Sequence, residues 1–460
     1  MALLSQRGKE MYRDEYNFIY TLNGKNKDGS KLYWTCARKK TCKARVHTVD
    51  GQVMFRSDVH THAPDTAGAA ARSVVSRMVE SVNTGHESTR NVIRDAIQGS
   101  SEGTLAALPS RRTLSRRIQR ARRRLNPTPP IPVQRSGFEI PDKYTKTISG
   151  LRFLQYDSGI DDVDRILLFA SDANLDLLVR HRQWFADGTF KCSPSVFYQL
   201  FTLHVYIADS VVPVVYALLP NKTQATYRRM LLEFSKLRQF DPETIMTDFE
   251  QAMLNAFRSV FPSVSQSGCF YHFSQCIYRQ VQQHGLQNDY AEEDFSLFIR
   301  MLAAIAFVPV TDALDTFDTL VDAGYPDRAE PVVNYFEDNF IGRPDRRGNR
   351  RNPLFPLTLW NINQRVVEAL PRTNNSVEGW HCGFQSSLQC SHPTLWKLLD
   401  QLLRENELHR LTVVQLMAGQ TYKPKRVYRI TNERIVNVVA DYNNRTTVEF
   451  LRGIAHNLQL

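Results

Sequence analysis

Two short stretches decide the fold of the second half of the chain: "QWFADGT" at residues 183–189 and "TIMTDFEQA" at residues 244–252. Each carries an apolar, strand-like run and then an aspartate, Asp187 in the first and Asp248 in the second. In open α/β sheets the carboxyl ends of strands face the ligand crevice, so neighbouring strands would bring the two carboxylates together. Converged carboxylates repel each other unless a cation or a proton lies between them.

The segments around these aspartates alternate between strand and helix patterns. "RQWFADGTF", "VFYQLFTLHVYI" and "SVVPVVYALLP" predict three strands, and "TQATYRRMLLEFSKL" predicts an amphipathic helix. The next segments, "ETIMTD", "FEQAMLNAFRSVF", "SVSQSGCFYHF" and "SQCIYRQVQQHG", predict strand, helix, strand and helix. This order is typical of an α/β fold in which helices cover a mixed sheet.

A third acid follows in "RTNNSVEGWHCGFQ", where Glu378 lies at the start of a predicted helix. Carboxylate oxygens suit Mg²⁺ or Mn²⁺, and two such ions ~4 Å apart can carry out in-line phosphoryl transfer. The residues alone leave a structural alternative open. An aspartate before a turn is often only a turn residue, and the helix dipole favours an acid in the first turn.

Three neighbouring acids are not expected to join the set: Asp172, Asp176 and Glu250. Glu250 lies two residues after Asp248, and we expect its side chain to point elsewhere.

The positive charge is concentrated at the front of the chain. The protein has 58 Lys+Arg and 47 Asp+Glu, a formal net charge of +11. Residues 1–135 hold 25 Lys+Arg and 11 Asp+Glu, and the remaining residues hold 33 and 36. A basic front on a near-neutral body indicates a nucleic-acid-binding module fused to a second unit.

Composition predicts a soluble intracellular protein of two or three domains. The hydrophobic fraction of 42% suffices for ordinary globular cores. The longest apolar run, "MLAAIAFVPV" (301–310), is far shorter than the ~18 residues of a membrane span. Seven cysteines, an odd number, favour a reducing compartment in which some of them bind metal.

Short aromatic and β-branched runs between residues 16 and 62 predict a small antiparallel sheet. Four residues in it can supply the nitrogen and sulfur ligands of a tetrahedral Zn²⁺ site: Cys36, Cys42, His60 and His62. The two histidines are expected on one face of a strand. His47 is a weaker alternative ligand, and two buried cysteines with two surface histidines is the alternative without metal.

An arginine-rich segment follows, "LPSRRTLSRRIQRARRRLNPTPPIP" (108–132). Leu114, Ile118, Ala121 and Leu125 recur at helical spacing, which predicts an amphipathic helix ended by the prolines. We expect its arginines to contact DNA phosphates: Arg111, Arg112, Arg116, Arg117, Arg120, Arg122, Arg123 and Arg124. A nuclear-import signal is a compatible interpretation, and a solvated basic face is the structural alternative.

The region that contains the four candidate zinc ligands resembles the FLYWCH zinc finger. The residues that carry the resemblance are Phe18, Leu32, Tyr33, Trp34, Cys36 and the terminal histidines. The resemblance covers about residues 5–64 and implies a module that binds DNA or protein.

The region that contains Asp187, Asp248 and Glu378 resembles the transposase domain of Mutator-like elements, which are DDE transposases with an RNase H-like fold. The motifs are "ADGTF", "MTDFE", "CFYHF" and "NNSVEGWH", over about residues 180–385. The resemblance implies that Asp187, Asp248 and Glu378 are metal-binding catalytic acids.

Auxiliary residues follow from the same resemblance, which makes Cys269 and His272 a C-x2-H feature after the second aspartate. Taken alone, such residues are more often a buried thiol and a hydrogen-bonded histidine. Trp380 and His381 could contact a flipped base or a strand end, although core packing is the alternative for Trp380.

The expected organisation is a zinc finger (1–66), a helical arginine-rich segment (67–135), an RNase H-like transposase domain (136–390) with a helical insertion (about 285–370), and a helical C-terminal region (391–460). We expect a nuclear, homo-oligomeric DNA transposase with structural Zn²⁺ and catalytic Mg²⁺ or Mn²⁺. It would act on double-stranded DNA, namely element terminal repeats and target sites. The alternatives are a domesticated, non-catalytic transcriptional regulator and an RNase H-like nuclease that acts on RNA or hybrids.

Overall fold

The computed structural model describes residues 2–4, 10–57, 59–81, 88–125, 129–421 and 425–460, without the side chains of residues 2–4, 123 and 125. The chain divides into two compact units, Met1–Pro129 and Pro130–Leu460. The first holds an antiparallel sheet and the second a mixed sheet with helices, so the predicted α/β class is confirmed. Within the described ranges, no helix is long and apolar enough to cross a membrane. The finer four-part division stays a prediction.

The sheet of the first unit has its strands in sequence order, each antiparallel to the next. The strands are β1 (Ala2–Leu4), β2 (Glu10–Arg13), β3 (Ile19–Lys25), β4 (Lys31–Cys36), β5 (Arg45–Val49) and β6 (Gln52–Ser57). One face buries Tyr20, Trp34 and Val46, because alternate residues of a strand point to the same side. This agrees with the predicted small antiparallel sheet.

Four helices complete the first unit: α1 (Thr66–Glu80), α2 (Thr89–Ile97), α3 (Glu102–Ala107) and α4 (Arg111–Leu125). Helix α4 buries Leu114 and Ile118 against Val74 and Val92. Its predicted apolar stripe is therefore confirmed up to Ala121, which packs on the same cluster. The Leu125 side chain lies outside the described residues.

The second unit is built on a sheet ordered β13-β12-β9-β10-β11-β8-β7. Its strands are β7 (Leu154–Asp157), β8 (Leu167–Phe169), β9 (Gln183–Thr189), β10 (Gln199–Ile207), β11 (Ser210–Leu219), β12 (Thr244–Thr247) and β13 (Ser265–Gly268). The pairs β9–β12 and β12–β13 are parallel, and the other pairs in this sheet are antiparallel. The order predicted from β9 onward is correct, whereas β7 and β8 were not predicted.

Helices cover both faces of this sheet. The first group is α5 (Asp142–Thr145), α6 (Asp172–Arg180), α7 (Gln224–Ser235), α8 (Gln251–Val260) and α9 (Phe270–Gln283). The second group is α10 (Glu293–Ala304), α11 (Ala313–Asp322), α12 (Glu330–Phe336), α13 (Leu357–Trp360) and α14 (Asn363–Val367), with a π-helical segment, Glu337–Ile341, between α12 and α13. The last group is α15 (Asn375–Leu388), α16 (Leu395–Met417), α17 (Arg426–Ala440) and α18 (Thr447–Ala455).

Within the described residues, the helices of the second unit enclose three large clusters of buried side chains. Helices α7 and α8 cover one side of the sheet, where Phe234 and Phe257 pack with Trp184. Helices α15 and α16 cover the other side around Trp396. Helices α9 to α14 pack with α17 and α18 around Trp360. The sheet is therefore rigidly supported where its strands end.

One predicted strand was too long. "SVSQSGCFYHF" was expected to be a strand throughout, but β13 ends at Gly268 and α9 begins at Phe270, with Cys269 as its N-cap residue. Aromatic residues favour strands locally, yet Phe270 and Phe273 are buried at helical spacing. Tertiary packing overrides the local preference here.

A glycine at the end of β13 is required by close packing. A Cβ atom at Gly268 would lie 2.4 Å from the Phe249 ring, and Phe249 directly follows Asp248. We expect Gly268→Ala to lower the free energy of unfolding by ~1–3 kcal/mol, as overpacking does, in urea titrations. Gly383→Ala is the control, because its Cβ would meet no atom within 4 Å and lies on helix α15. An equal effect of both changes would show that the Phe249 contact is unimportant.

Candidate functional site

Asp187 and Asp248 lie side by side at one edge of the mixed sheet. Strands β9 and β12 run parallel with Phe185 opposite Met246, and each aspartate lies two residues beyond its member of that pair. Asp248 directly follows β12, and Asp187 lies within β9. The side chain of Asp248 is 31% exposed and that of Asp187 is 14% exposed, so both remain accessible at the edge of the sheet.

Glu378 reaches the same edge from a distant part of the sequence. It lies in the first turn of α15, as predicted, and its side chain is 36% exposed. One residue earlier, Val377 is fully buried against Phe185 and Met246, the paired residues of β9 and β12. This apolar contact fixes the start of the helix over the strand ends.

Two hydrogen bonds also hold the segment directly before α15 in place. The backbone N–H of Asn374 donates to Cys269 Sγ at 3.2 Å, and the N–H of Phe270 donates to the Arg372 carbonyl oxygen at 3.0 Å. The start of α15 is therefore tied to the start of α9.

His272 lies between two of the acids. Its Nδ1 is 2.8 Å from Asp248 Oδ1, and its Nε2 is 3.5 Å from Glu378 Oε1. Burial lowers the pKa of His272, but the contacts with Asp248 and Cys269 outweigh burial and raise the pKa to about 11. The C-x2-H feature thus joins the second and third acids.

His381 makes the corresponding contact with the first acid. Its Nδ1 is 3.2 Å from Asp187 Oδ2, and its Nε2 is 3.1 Å from Thr202 Oγ1. Thr202 faces Asp187 across the β9–β10 pair, and its hydroxyl donates to the Asp187 carbonyl oxygen at 3.3 Å. His204 is fully buried next to this hydroxyl, and burial holds its pKa well below the usual range. Nothing in the sequence pattern singles out Thr202 or His204.

Negative charge accumulates at this edge. Burial raises the pKa of Glu378; the charges of Asp187 and Asp248 raise it further, whereas His272 opposes the shift. The carboxylates at this edge would therefore stabilise a bound cation.

Glu250 lies two residues beyond Asp248, as the N-cap residue of α8. Burial raises its pKa, Lys222 and a hydrogen bond from Tyr227 oppose the shift, and Asp248 and Asp187 add to it. The expectation that its side chain points away from the other acids stays a prediction. Asp172 and Asp176 lie apart from the site and pair with Arg238.

Trp380 does not face the acids. Its ring stacks on Phe384 at 4.9 Å between centroids, and its indole N–H donates to His409 Nε2 at 3.1 Å. The structure thus places Trp380 in the packing between α15 and α16, while a base contact by Trp380 or His381 stays a prediction.

The predicted zinc ligands of the first unit come together. Cys36 Sγ lies 3.2 Å from His62 Nε2, and Cys42 Sγ lies 3.3 Å from His60 Nδ1, with all four ligand atoms within 4.8 Å of one another. Ligands ~2.0–2.3 Å from one tetrahedral ion would have separations of this size. The four residues therefore form a site suited to Zn²⁺.

Outer contacts of the histidines suit metal binding as well. Tyr20 O–H donates to Asp14 at 3.0 Å, so its oxygen can accept from His60 Nε2–H at 2.8 Å. His62 Nδ1–H can donate to the Ala63 carbonyl oxygen at 2.8 Å. Each ring then presents its lone-pair nitrogen to a cysteine, as metal-binding histidines do.

One expectation about the histidines of this unit was wrong, and the weaker alternative ligand, His47, is not part of the cluster. His60 and His62 lie after β6 in a segment without strand structure, so they do not share a strand face. His47 does not join the ligands; it lies within β5 and contacts Tyr33 and Phe55.

The arginines of α4 are largely exposed. Arg111, Arg112, Arg116, Arg120 and Arg124 are exposed, Arg117 and Arg122 are partly buried, and the Arg123 side chain lies outside the described residues. Arg122 donates to Thr89 Oγ1 at 3.3 Å. Within the described residues, none of the five exposed arginines has a carboxylate within salt-bridge distance, so this face is a candidate anion-binding surface.

The zinc site predicts that the β-sheet of the first unit depends on metal. We expect Cys42→Ser, or a chelator, to remove protection from amide hydrogen exchange over residues 10–57, because zinc contributes ~10–16 kcal/mol in zinc-finger peptides. Cys382→Ser changes an exposed thiol elsewhere and should leave the protection intact. Full protection in Cys42→Ser would mean that the sheet folds without zinc.

Two segments of the chain match known families. Residues 183–276 match the MULE transposase domain, and residues 5–62 match the FLYWCH zinc finger domain. The first match includes Asp187, Asp248, Cys269 and His272 and ends before Glu378. No curated protein matches the chain in sequence. Both resemblances seen in the sequence are confirmed: the chain carries a FLYWCH zinc finger domain and, after it, a MULE transposase domain.

Proposed function

We propose that the protein is a DNA transposase that binds element ends and performs metal-dependent strand cleavage and strand transfer. The observation that carries this proposal is the convergence of Asp187, Asp248 and Glu378, from three separate segments, at one edge of the sheet. The MULE transposase domain match supports the same chemistry for the first two acids.

The donor atoms at this edge fit a hard divalent cation. Asp248 Oδ1 is buried and accepts no well-aligned hydrogen bond. Asp187, Asp248 and Glu378 would hold the ion, since oxygen ligands are those that Mg²⁺ and Mn²⁺ prefer. When bound, such ions activate a water or a 3′-hydroxyl for attack on a phosphodiester.

The surrounding residues orient the carboxylates. His381 contacts Asp187 and Thr202, and His272 lies between Asp248 and Glu378. Partners of this kind hold ligand side chains in place before a substrate arrives.

The order of the five central strands supports an RNase H-like fold. Two antiparallel strands, β10 and β11, extend to one side of β9, and the parallel strands β12 and β13 extend to the other. The acids lie on the central strand, directly after its parallel neighbour and on a helix above them, which suits catalysis at the sheet edge.

The first unit would supply DNA binding. Its excess of Lys and Arg, the finger and the exposed arginines of α4 suit a polyanion. A DNA substrate implies a nuclear protein, and cleavage at two element ends implies a homo-oligomer.

A domesticated regulator that binds DNA without catalysis is the second candidate. It is favoured by one observation, namely that the finger and the basic helix form a compact unit separate from the acids. DNA binding would then not depend on an intact catalytic edge.

Excision of DNA tests the proposal directly. We expect wild-type protein to excise a reporter flanked by the gene's own genomic flanks, and Asp187→Asn to reduce excision at least ~100-fold, since even partners of metal ligands cost ~10–100-fold. Asp161→Asn, an exposed acid on a loop, is the matched control and should excise normally. Retained DNA binding with no excision by wild type would favour the regulator.

The role of α4 is tested by salt dependence. Replacing Arg111, Arg112, Arg116 and Arg120 with glutamine should lower the slope of log K against log salt by ~0.9 for each phosphate that is no longer neutralised, measured by fluorescence anisotropy on duplex DNA. Arg180→Gln, on α6 of the second unit, is the control. An unchanged slope in the fourfold variant would show that these arginines are only a solvated face.

A further inference from the structure

A thiol and an imidazole lie beside one of the three acids. Cys269 Sγ, a nitrogen of His272 and a carboxylate oxygen of Asp248 all lie within 4.8 Å of one another. Cys269 is fully buried, whereas Asp248 and His272 are partly exposed. The cluster therefore combines a soft donor at its base with an opening to solvent.

Helix geometry explains this spacing. Cys269 is the N-cap residue of α9 and His272 is its third helical residue, positions whose side chains approach each other at a helix start. The Cys269 N–H donates to the Thr247 carbonyl oxygen at 2.9 Å, so the helix start is joined to the end of β12, next to Asp248. All three donors thus lie on or beside regular structure.

The donors do not satisfy one another. Asp248 Oδ1 and His272 Nδ1 are 2.8 Å apart, yet neither makes a well-aligned hydrogen bond. Cys269 Sγ accepts one bond, from the Asn374 N–H. In the finger too, potential ligands lie close together, with Cys–His contacts of 3.2 and 3.3 Å.

We propose that Asp248, Cys269 and His272 form a second binding site for a thiophilic divalent ion of the zinc class. Thiolate and imidazole select zinc over magnesium, which prefers oxygen ligands alone. Binding forms the metal–sulfur bond and breaks the S–H bond, and the thiol proton and any proton on the binding nitrogen of His272 pass to solvent. A water would complete four ligands.

Such an ion would share Asp248 with the catalytic cation. If the proposed function holds, zinc at this site removes Asp248 from the magnesium-binding set, so that zinc inhibits strand cleavage. This consequence rests on the proposed function, whereas the binding of the ion does not.

Metal content of the full-length chain tests the site. The protein is loaded with excess Zn²⁺, passed through gel filtration and analysed for zinc per chain. We expect ~2 zinc ions for wild type and ~1 for Cys269→Ser or Cys36→Ser, since each closed site holds one ion. Cys390→Ser, an exposed thiol near the end of α15, is the control and should keep both ions.

Cobalt provides an independent readout, because a thiolate ligand gives a thiolate-to-cobalt charge-transfer band. We expect Cys269→Ser to reduce this band by about a third, as it would remove one of three thiolate ligands. His272→Asn, checked for native circular dichroism, should also bind one zinc fewer and serves if Cys269→Ser does not fold. One zinc per wild-type chain, removed completely by Cys36→Ser, would overturn the proposal. Two zinc ions without DNA excision would support this site while contradicting the proposed function.

Discussion

The parallel pairing of β9 with β12 is the constraint on which the second unit depends. It places Asp187 and Asp248 at the same distance beyond paired residues, so two carboxylates that repel each other meet at one edge of the sheet. Apolar packing must offset that repulsion, and Phe185, Met246 and Val377 supply it directly beneath the acids. The contacts of His272 with Asp248 and of His381 with Asp187 place an imidazole nitrogen beside each carboxylate.

Much of this arrangement could be predicted because it is encoded locally. Apolar runs marked β9, β10 and β11, the short apolar run before Asp248 marked β12, and the spacing of two cysteines and two histidines marked the zinc site. Strand β7 was missed because it mixes polar and apolar residues, and β8 because it has only three residues. The end of β13 was missed because the aromatic residues after Gly268 favour a strand locally, while their helical burial depends on distant partners.

The site itself was predicted less completely than the fold. Thr202 and His204 were missed because only the β9–β10 register brings them to Asp187. Partners that come from a neighbouring strand cannot be seen in a single sequence, whereas acids that end apolar strands can.

The late position of α15 in the sequence has a consequence for incomplete chains. The third acid is brought to the edge only when Asn374 and Arg372 bond to the start of α9. A translation product that ended before α15 would keep the zinc finger and the basic helix but lack Glu378. Under the proposed function, such a fragment would occupy DNA sites without the complete acid set, and so would act as a competitor of the full-length protein encoded by the same gene.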